Sequence, residues 1–369
     1  DQVERGDFPG GLKDLDTTNP AVQQALIDVF TYWITTADLD GFRIDTLKHV
    51  ENDFWNTFAP AIRQNAAAAG KEKFLMFGEA FDGSDELIGS YTCDTMTESL
   101  GSYPYQSSDG QFVGCSHSDN SGGEDFQGVD SVFYFSQKFQ VFDDVFKYSG
   151  ATSKIEDLVA LRSQNYGATP KLRGAGQAPQ DILVNFIDNH DIPRFLFDQP
   201  SIPALKSALF FLLTEDGIPC IYYGTEQGFY GGNDPANREP MWESSFDRDG
   251  DLFVHTQGLI SLRKDLEPLR RGDFNTRWAS DRVGSEEDAG IYAFERATET
   301  QVALVVLNVN DDHSSHTAFE GSGMPVTFSP GTILVEVWPE GSERTFTVAG
   351  DGTVVVDVVP RGGSVLVAR

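Results

Sequence analysis

An α/β barrel of parallel strands followed by a smaller antiparallel β-sandwich is the architecture this sequence predicts, and three observations predict it. Short apolar runs alternate with helical stretches over most of the chain, which implies a parallel sheet covered on both faces. From about Asp281 the pattern changes to strand-like runs separated by Gly, Asn and Asp turns. Acidic residues stand where three of the earlier apolar runs end: Gly41–Asp45, Phe77-Gly78-Glu79 and Phe186–Asp191.

The elements follow in order. Asn19 before Pro20 reads as an N-cap with proline in the first turn, and Val22, Leu26, Phe30 and Trp33 then recur at helical spacing. This predicts an amphipathic helix running into a strand at Gly41–Asp45. Further strands are predicted at Phe74–Phe77, Val129–Phe135, Ile182–Ile187 and Ile218–Tyr223. Helices are predicted between them, at Asp53–Ala69, Ser136–Lys147, Ile155–Gln164 and Ile202–Thr214. The Ser, Asp and Gly-rich tract Ser107–Gly123 reads as a surface loop. In the sandwich, strands are predicted at Gly290–Phe294, Val302–Val309, Thr332–Trp338, Thr345–Val348 and Thr353–Val359, with Tyr292 and Trp338 as core aromatics rather than sugar-stacking ones. The expected division is residues 1–18 as a linker into the barrel, 19–280 as barrel and 281–369 as sandwich.

A chain of 369 residues with 40% hydrophobic content can bury a sizeable core. Its 57 acidic against 27 basic residues give a formal charge of -30, which argues against nucleic acid or an anionic membrane as partner and suits a neutral substrate. No apolar run is long enough to span a bilayer, and Asp1–Arg5 do not form a charged-then-apolar leader pattern. The three cysteines, Cys93, Cys115 and Cys220, form no metal-ligand pattern. They are read either as a Cys93–Cys115 disulfide of a secreted protein or as free thiols, with Cys220 a buried free thiol.

In a parallel barrel the chemistry gathers at the C-terminal ends of strands, where Asp45, Glu79 and Asp191 stand. Arg43 and Asp45 are two apart on a strand and share a face, so a permanent cation can keep that carboxylate ionised as a nucleophile. Glu79 follows the apolar run Phe74–Phe77, and a partly desolvated carboxyl is suited to proton donation. Cleavage of a glycosidic bond with retention needs such a pair, about 5–5.5 Å apart. Carboxylates at strand ends can also be helix caps or solvated surface groups, but three in this arrangement favour chemistry.

The segments Gly41–Val50, Gly78-Glu79 and Phe186–Asp191, in this order, resemble conserved regions of the α-amylase family of retaining glycoside hydrolases. The resemblance extends to Leu12–Thr18, Gly217–Glu226 and Gly231–Glu239, the last being similar to secreted fungal-type α-amylases. It implies a (β/α)8 TIM barrel with a C-terminal β-sandwich. It also implies Asp45 as nucleophile, Glu79 as acid/base and Asp191 as the stabilising third carboxylate. Arg43, Lys48, His49, Gly83, His190, Asp234 and Arg238 would contact substrate or support those that do. A structural Ca²⁺ is implied, with Asp14 as a ligand and His49 giving its backbone carbonyl, as is a secreted, extracellular location. Lys13 stands where the family has proline, and residues 94–128 have no clear counterpart.

Only 44 residues precede Asp45, and no Asp-x-x-x-Asn-His segment occurs, so strands four to eight of the barrel are those expected in this chain. The missing N-terminal part of the same enzyme is then an expected partner, beside an α-glucan polysaccharide or oligosaccharide. The expected activity is endo-acting, retaining hydrolysis of α-1,4-glucans. The alternatives are a transglycosylase of the cyclodextrin-forming type and a non-catalytic carbohydrate-binding relative.

Overall fold

The computed structural model describes Gly11, residues 13–93 and residues 128–369. The Ser107–Gly123 loop and Cys115 lie outside them. The chain divides into two compact units, residues 1–136 with 160–184, and residues 137–159 with 185–369.

In the first unit, helix α1 (Pro20–Ala37) starts where the sequence predicts. Asn19 Oδ1 accepts the Ala21 amide at 2.9 Å, and Pro20 fills the first turn, where a missing N–H costs nothing. The buried face differs from the expected one: Ile27 and Ile34 are buried, whereas Phe30 and Trp33 are 37% and 49% exposed. Phe30 still lies edge-on to Phe42 and Phe58, so its ring borders the core rather than filling it. Strands β1 (Gly41–Ile44), β2 (Leu75–Gly78) and β3 (Ser131–Val132) form a parallel sheet in that order. A Cβ on Gly41 would sit 2.5 Å from the Leu75 carbonyl oxygen, so only glycine lets the two strands approach so closely there. Helix α2 (Asn52–Ala68) packs on α1, and the short helix α3 (Asp85–Ser90) follows β2.

Two buried acids tie this unit together. Asp130, fully buried, accepts from Arg63 at 2.9 Å and from the amides of Met76 and Ala175. Asp85 accepts from Ser136, Asn165 and Tyr166 at 2.6–2.7 Å. Burial pushes the Asp85 carboxyl up, and these hydrogen bonds pull it back.

The predicted strand Val129–Phe135 proves shorter, because helical backbone begins at Phe135. The next predicted helix, Ser136–Lys147, is mostly a π-helix, Lys138–Lys147, in the second unit. Lys138, buried among Val141, Phe142, Val145 and Phe146, pairs with Asp143 five residues on, the spacing a π-helix stacks and an α-helix does not. Helix α4 (Ser153–Asn165) comes next, and strand β4 (Val184–Phe186) pairs with β5 (Ile218–Cys220). Helix α5 (Ile202–Thr214) lies between them in sequence. It is capped by Ser201, and from Ala204 to Thr214 all its residues but Lys206 are buried, whereas its first turn at Ile202 is exposed. Phe211 of α5 packs on Phe142 and Phe146 of the π-helix.

Helices α6 (Asp251–Asp265) and α7 (Glu267–Arg271) lead into the antiparallel part. Its main sheet holds β6 (Asp273–Trp278), β7 (Ile291–Ala297), β8 (Val302–Asn308), β12 (Ile333–Trp338), β13 (Thr345–Thr347) and β16 (Gly363–Ala368). Their order is β13-β12-β16-β8-β7-β6. The short strands β9 (Ser315–His316), β10 (Ala318–Phe319), β11 (Ser322–Pro325), β14 (Thr353–Val354) and β15 (Asp357–Val358) face it in two small sheets. Ile291, Leu304, Val306, Leu334 and Leu366 from the main sheet meet Met324, Val354, Val356 and Val358 in one apolar cluster. Strands β6, β9 to β11 and β16 were not among those predicted. Tyr292 is fully buried, and Trp338 stands edge-on to His255, so both are packing aromatics as expected. Fully buried Arg296 donates to the carbonyls of Thr214, Leu269 and Gly272, satisfying the ends of α5 and α7.

Candidate active site

In the first unit the ends of β1 and β2 bring together two of the predicted acids. Asp45 follows β1 with its carboxylate largely exposed, and Glu79 follows β2 and is 8% exposed. The parallel ladder sets their offset: Glu79 donates its amide to Ile44 O, and its own carbonyl accepts from Leu47 N, both at 2.8 Å. Thr46 then turns in the left-handed region at φ 53, a conformation a β-branched residue adopts only under tertiary constraint. Arg43 lies on β1 between the two acids. Its Nη1 donates to Asp45 Oδ1, and its Nη2 donates to Glu79 Oε2 at 2.5 Å. One guanidinium therefore fixes both carboxylates, with the Phe133 ring 5.6 Å away on one side.

Lys48 donates to Phe81 O and, at 3.1 Å, to Asp82, so it is tied to the loop after β2. Gly83 lies in that loop, directly before Ser84, the N-cap of α3. His49 closes the short turn Leu47–His49. It lines a cavity of about 680 Å³ together with Asp14, Thr17, Arg43, Asp45 and Thr46, walled by Phe30, Phe42, Phe54 and Trp55. Asp14 and His49, the expected calcium residues, thus share one cavity. Among the described residues no three His, Cys, Asp or Glu gather to hold a metal, and calcium takes six to eight oxygens, so no catalytic step is routed through the ion.

The other predicted residues lie in the second unit, His190 and Asp191 after β4 and Asp234 and Arg238 after β5. Asp191 receives His190 Nε2 at 3.1 Å on one oxygen and Arg238 Nη2 at 3.4 Å on the other. Arg238 also donates to Asp234 at 2.7 Å and to His190 O at 3.2 Å. Beneath them Asp188 is fully buried and accepts from Thr225 at 2.7 Å and from Phe195 N at 3.1 Å. Burial pushes its carboxyl up, and these bonds together with Arg194 oppose the rise. Burial and Tyr223 push Tyr222, beside His190, up to about 12, which keeps its phenol neutral. Cys220, expected to be buried, is a half-buried free thiol, raised by burial and by Asp188.

Predicted site residues therefore form two groups, one per unit: Arg43, Asp45, Lys48, His49, Glu79 and Gly83 in the first, and His190, Asp191, Asp234 and Arg238 in the second. Sequence reasoning missed the supporting charges Asp188, Arg194 and Glu239, although all three lie in or beside the segments that carried the resemblance.

The family model for the catalytic domain of alpha-amylase matches residues 7–251. The chain belongs to the α-amylase family. It is 30% identical over 368 residues to a beta/alpha-amylase of Paenibacillus polymyxa, covering 98% of this chain and 24% of that protein. It is 28% identical over 392 residues to an alpha-amylase of Streptomyces lividans, covering 96% and 37%. The chain thus spans about a quarter to a half of the length of the curated relatives it matches. Among solved structures, the alpha-amylase of Geobacillus thermoleovorans, complexed with acarbose, aligns with a TM-score of 0.73 at 22% identity, over 99% of this chain and 68% of that one. CldA, a cyclomaltodextrin glucanotransferase, aligns at 0.71 and 25% identity, over 99% and 63%. The fold is that of these α-amylase barrels with a C-terminal antiparallel sheet.

Proposed function

We propose that this α-amylase-family chain carries the catalytic carboxylates of a retaining α-glucan hydrolase, acting within α-1,4-linked chains. The observation that supports this most is the bridge made by Arg43 between Asp45 and Glu79. The bridge holds an exposed and a buried carboxylate side by side, and that difference in burial gives the two acids the different environments that a nucleophile and an acid/base require.

In this reading Asp45 attacks the anomeric carbon while the bond from that carbon to the glycosidic oxygen breaks, and Glu79 delivers a proton to the departing oxygen. Glu79 then takes a proton from water as the water displaces Asp45, which restores both acids. Asp191, with His190, takes the stabilising role by sequence match, holding sugar hydroxyls. Asp234 and Arg238 grip a sugar on the non-reducing side, and Lys48 and His49 one on the leaving-group side. We also propose Ca²⁺ held by Asp14 and the His49 carbonyl with further oxygen donors, a Cys93–Cys115 disulfide, secretion, and completion of the barrel by an N-terminal part of the same enzyme. Relatives named cyclomaltodextrinase and cyclomaltodextrin glucanotransferase keep transfer as the second reading, in which an acceptor sugar replaces water.

The test is hydrolysis of starch and maltoheptaose by the full-length protein and by Glu79→Gln, with the anomer of the first product read by NMR. An α-anomeric product and a loss of at least about 10³-fold in the variant are expected, in line with removing a general acid and its proton. Cyclic products would favour transfer. A chelator should lower activity and added Ca²⁺ restore it. An inert wild type, or an active Glu79→Gln, would sink the hydrolase reading.

A further inference from the structure

We infer that the partly buried Arg194–Glu239 ion pair is a positioning device that staples the two ends of the Gly231–Glu239 loop and so sets the Arg238 guanidinium against Asp191. The inference deepens the proposed function, since it rests on reading Asp234 and Arg238 as sugar contacts.

Arg194 is fully buried, and the Glu239 side chain is partly buried, 19% exposed. Arg194 Nε donates to Glu239 Oε2 at 3.1 Å, and the Arg194 backbone amide donates to Gly231 O at 3.0 Å. Glu239 turns its other oxygen to the amides of Tyr230 and Gly231, at 2.9 and 2.5 Å. One ion pair therefore holds the start of the loop through Gly231 and its end through Glu239. Within the loop the chain folds back so tightly that a Cβ on Gly231 would lie 1.8 Å from Ala236 O. Asn237, also fully buried, donates to Ile192 O at 2.9 Å, which fixes the residue beside Arg238 to the segment carrying His190 and Asp191.

The rest of the guanidinium explains why an arginine stands here. Nη1 donates to Tyr223 O at 2.7 Å, and the plane lies 4.0 Å from the centroid of the Tyr222 ring. Nη2 has no hydrogen-bond partner among the described residues, and the guanidinium carbon also lies 5.1 Å from the Tyr223 and 5.5 Å from the Phe229 ring centroid, so aromatic faces surround it. A lysine could supply neither the fork nor the stacking plane. Arg194 and Glu239 are positioning residues, because they reach Asp191 only through Arg238.

Hydrogen exchange and kinetics on Glu239→Gln and Glu239→Ala test the inference. Glu239→Ala should lose at least about tenfold in amide protection at Tyr230 and Gly231, the scale of a lost charge-assisted hydrogen bond. Strands β7 and β8 should keep theirs. Per folded molecule, KM for maltoheptaose should rise about tenfold with kcat within about threefold, the signature of lost substrate binding rather than lost chemistry. The isosteric Glu239→Gln, which can still accept from both amides, should recover most of the protection and part of the KM. Unchanged loop protection in Glu239→Ala would overturn the staple. Lost protection with an unchanged KM would overturn its role in sugar binding. A wild type that neither binds nor cleaves maltoheptaose would sink the sugar reading, and the exchange result would still decide the staple.

Discussion

At the scale of single residues, Arg43 carries the most. It was expected beside Asp45 because two residues on one strand share a face, and it stands there. Its reach to Glu79 was not legible, since the register of β1 against β2 is a property of the folded sheet and leaves no trace in either segment. The same limit hid Arg194 and Glu239, because a buried charge has no periodic signature and is recognised only from the partners it meets. Arg43→Lys tests the bridge. A lysine places one point charge and cannot fork to two carboxylates, so kcat/KM should fall about 10²–10³-fold with little change in thermal stability. A change below about threefold would remove Arg43 from the chemistry.

Elements with clear capping and a strong period were legible: α1 begins at its asparagine–proline cap, and α5 matches its predicted bounds. The π-helix was not, because what sets it apart from an α-helix is i→i+5 backbone bonding, which no residue type in the segment announces. What anchors its end is Arg361, which donates to Phe146 O and Ser149 Oγ, each at 2.6 Å, and to both oxygens of Asp311. Arg361 and Ser149 hold Asp311 below its usual range, so its contribution to stability is present above about pH 4. The contribution is lost as pH falls through the lower folded value. Asp311→Asn should therefore lower the melting temperature near pH 7 by about 2–4 °C. That corresponds to roughly 1 kcal/mol after allowing for the half-exposed carboxylate. Wild type and variant should converge as pH falls through that lower folded value. A difference that persists undiminished in acid would refute the pairing. Strands β9 to β11 escaped prediction because they are two to four residues long, too short for alternation to show.

For the whole molecule, the order of acids along the chain and the switch from parallel to antiparallel patterning were enough to anticipate the fold, which the α-amylase family match and the solved relatives bear out. Aromatics on α1 were misassigned for a reason at this scale: Val29, Phe30, Tyr32 and Trp33 are apolar yet exposed, so their periodicity does not mark the side that this unit buries. Chemistry is the central claim, and trapping the covalent intermediate tests it most directly. Full-length protein is incubated with a 5-fluoro-α-maltosyl fluoride, digested, and sequenced by mass spectrometry. The account predicts one added fluoromaltosyl group, on the peptide bearing Asp45, lost with Asp45→Asn. Labelling on any other residue, or none from an enzyme that turns over starch, would contradict it.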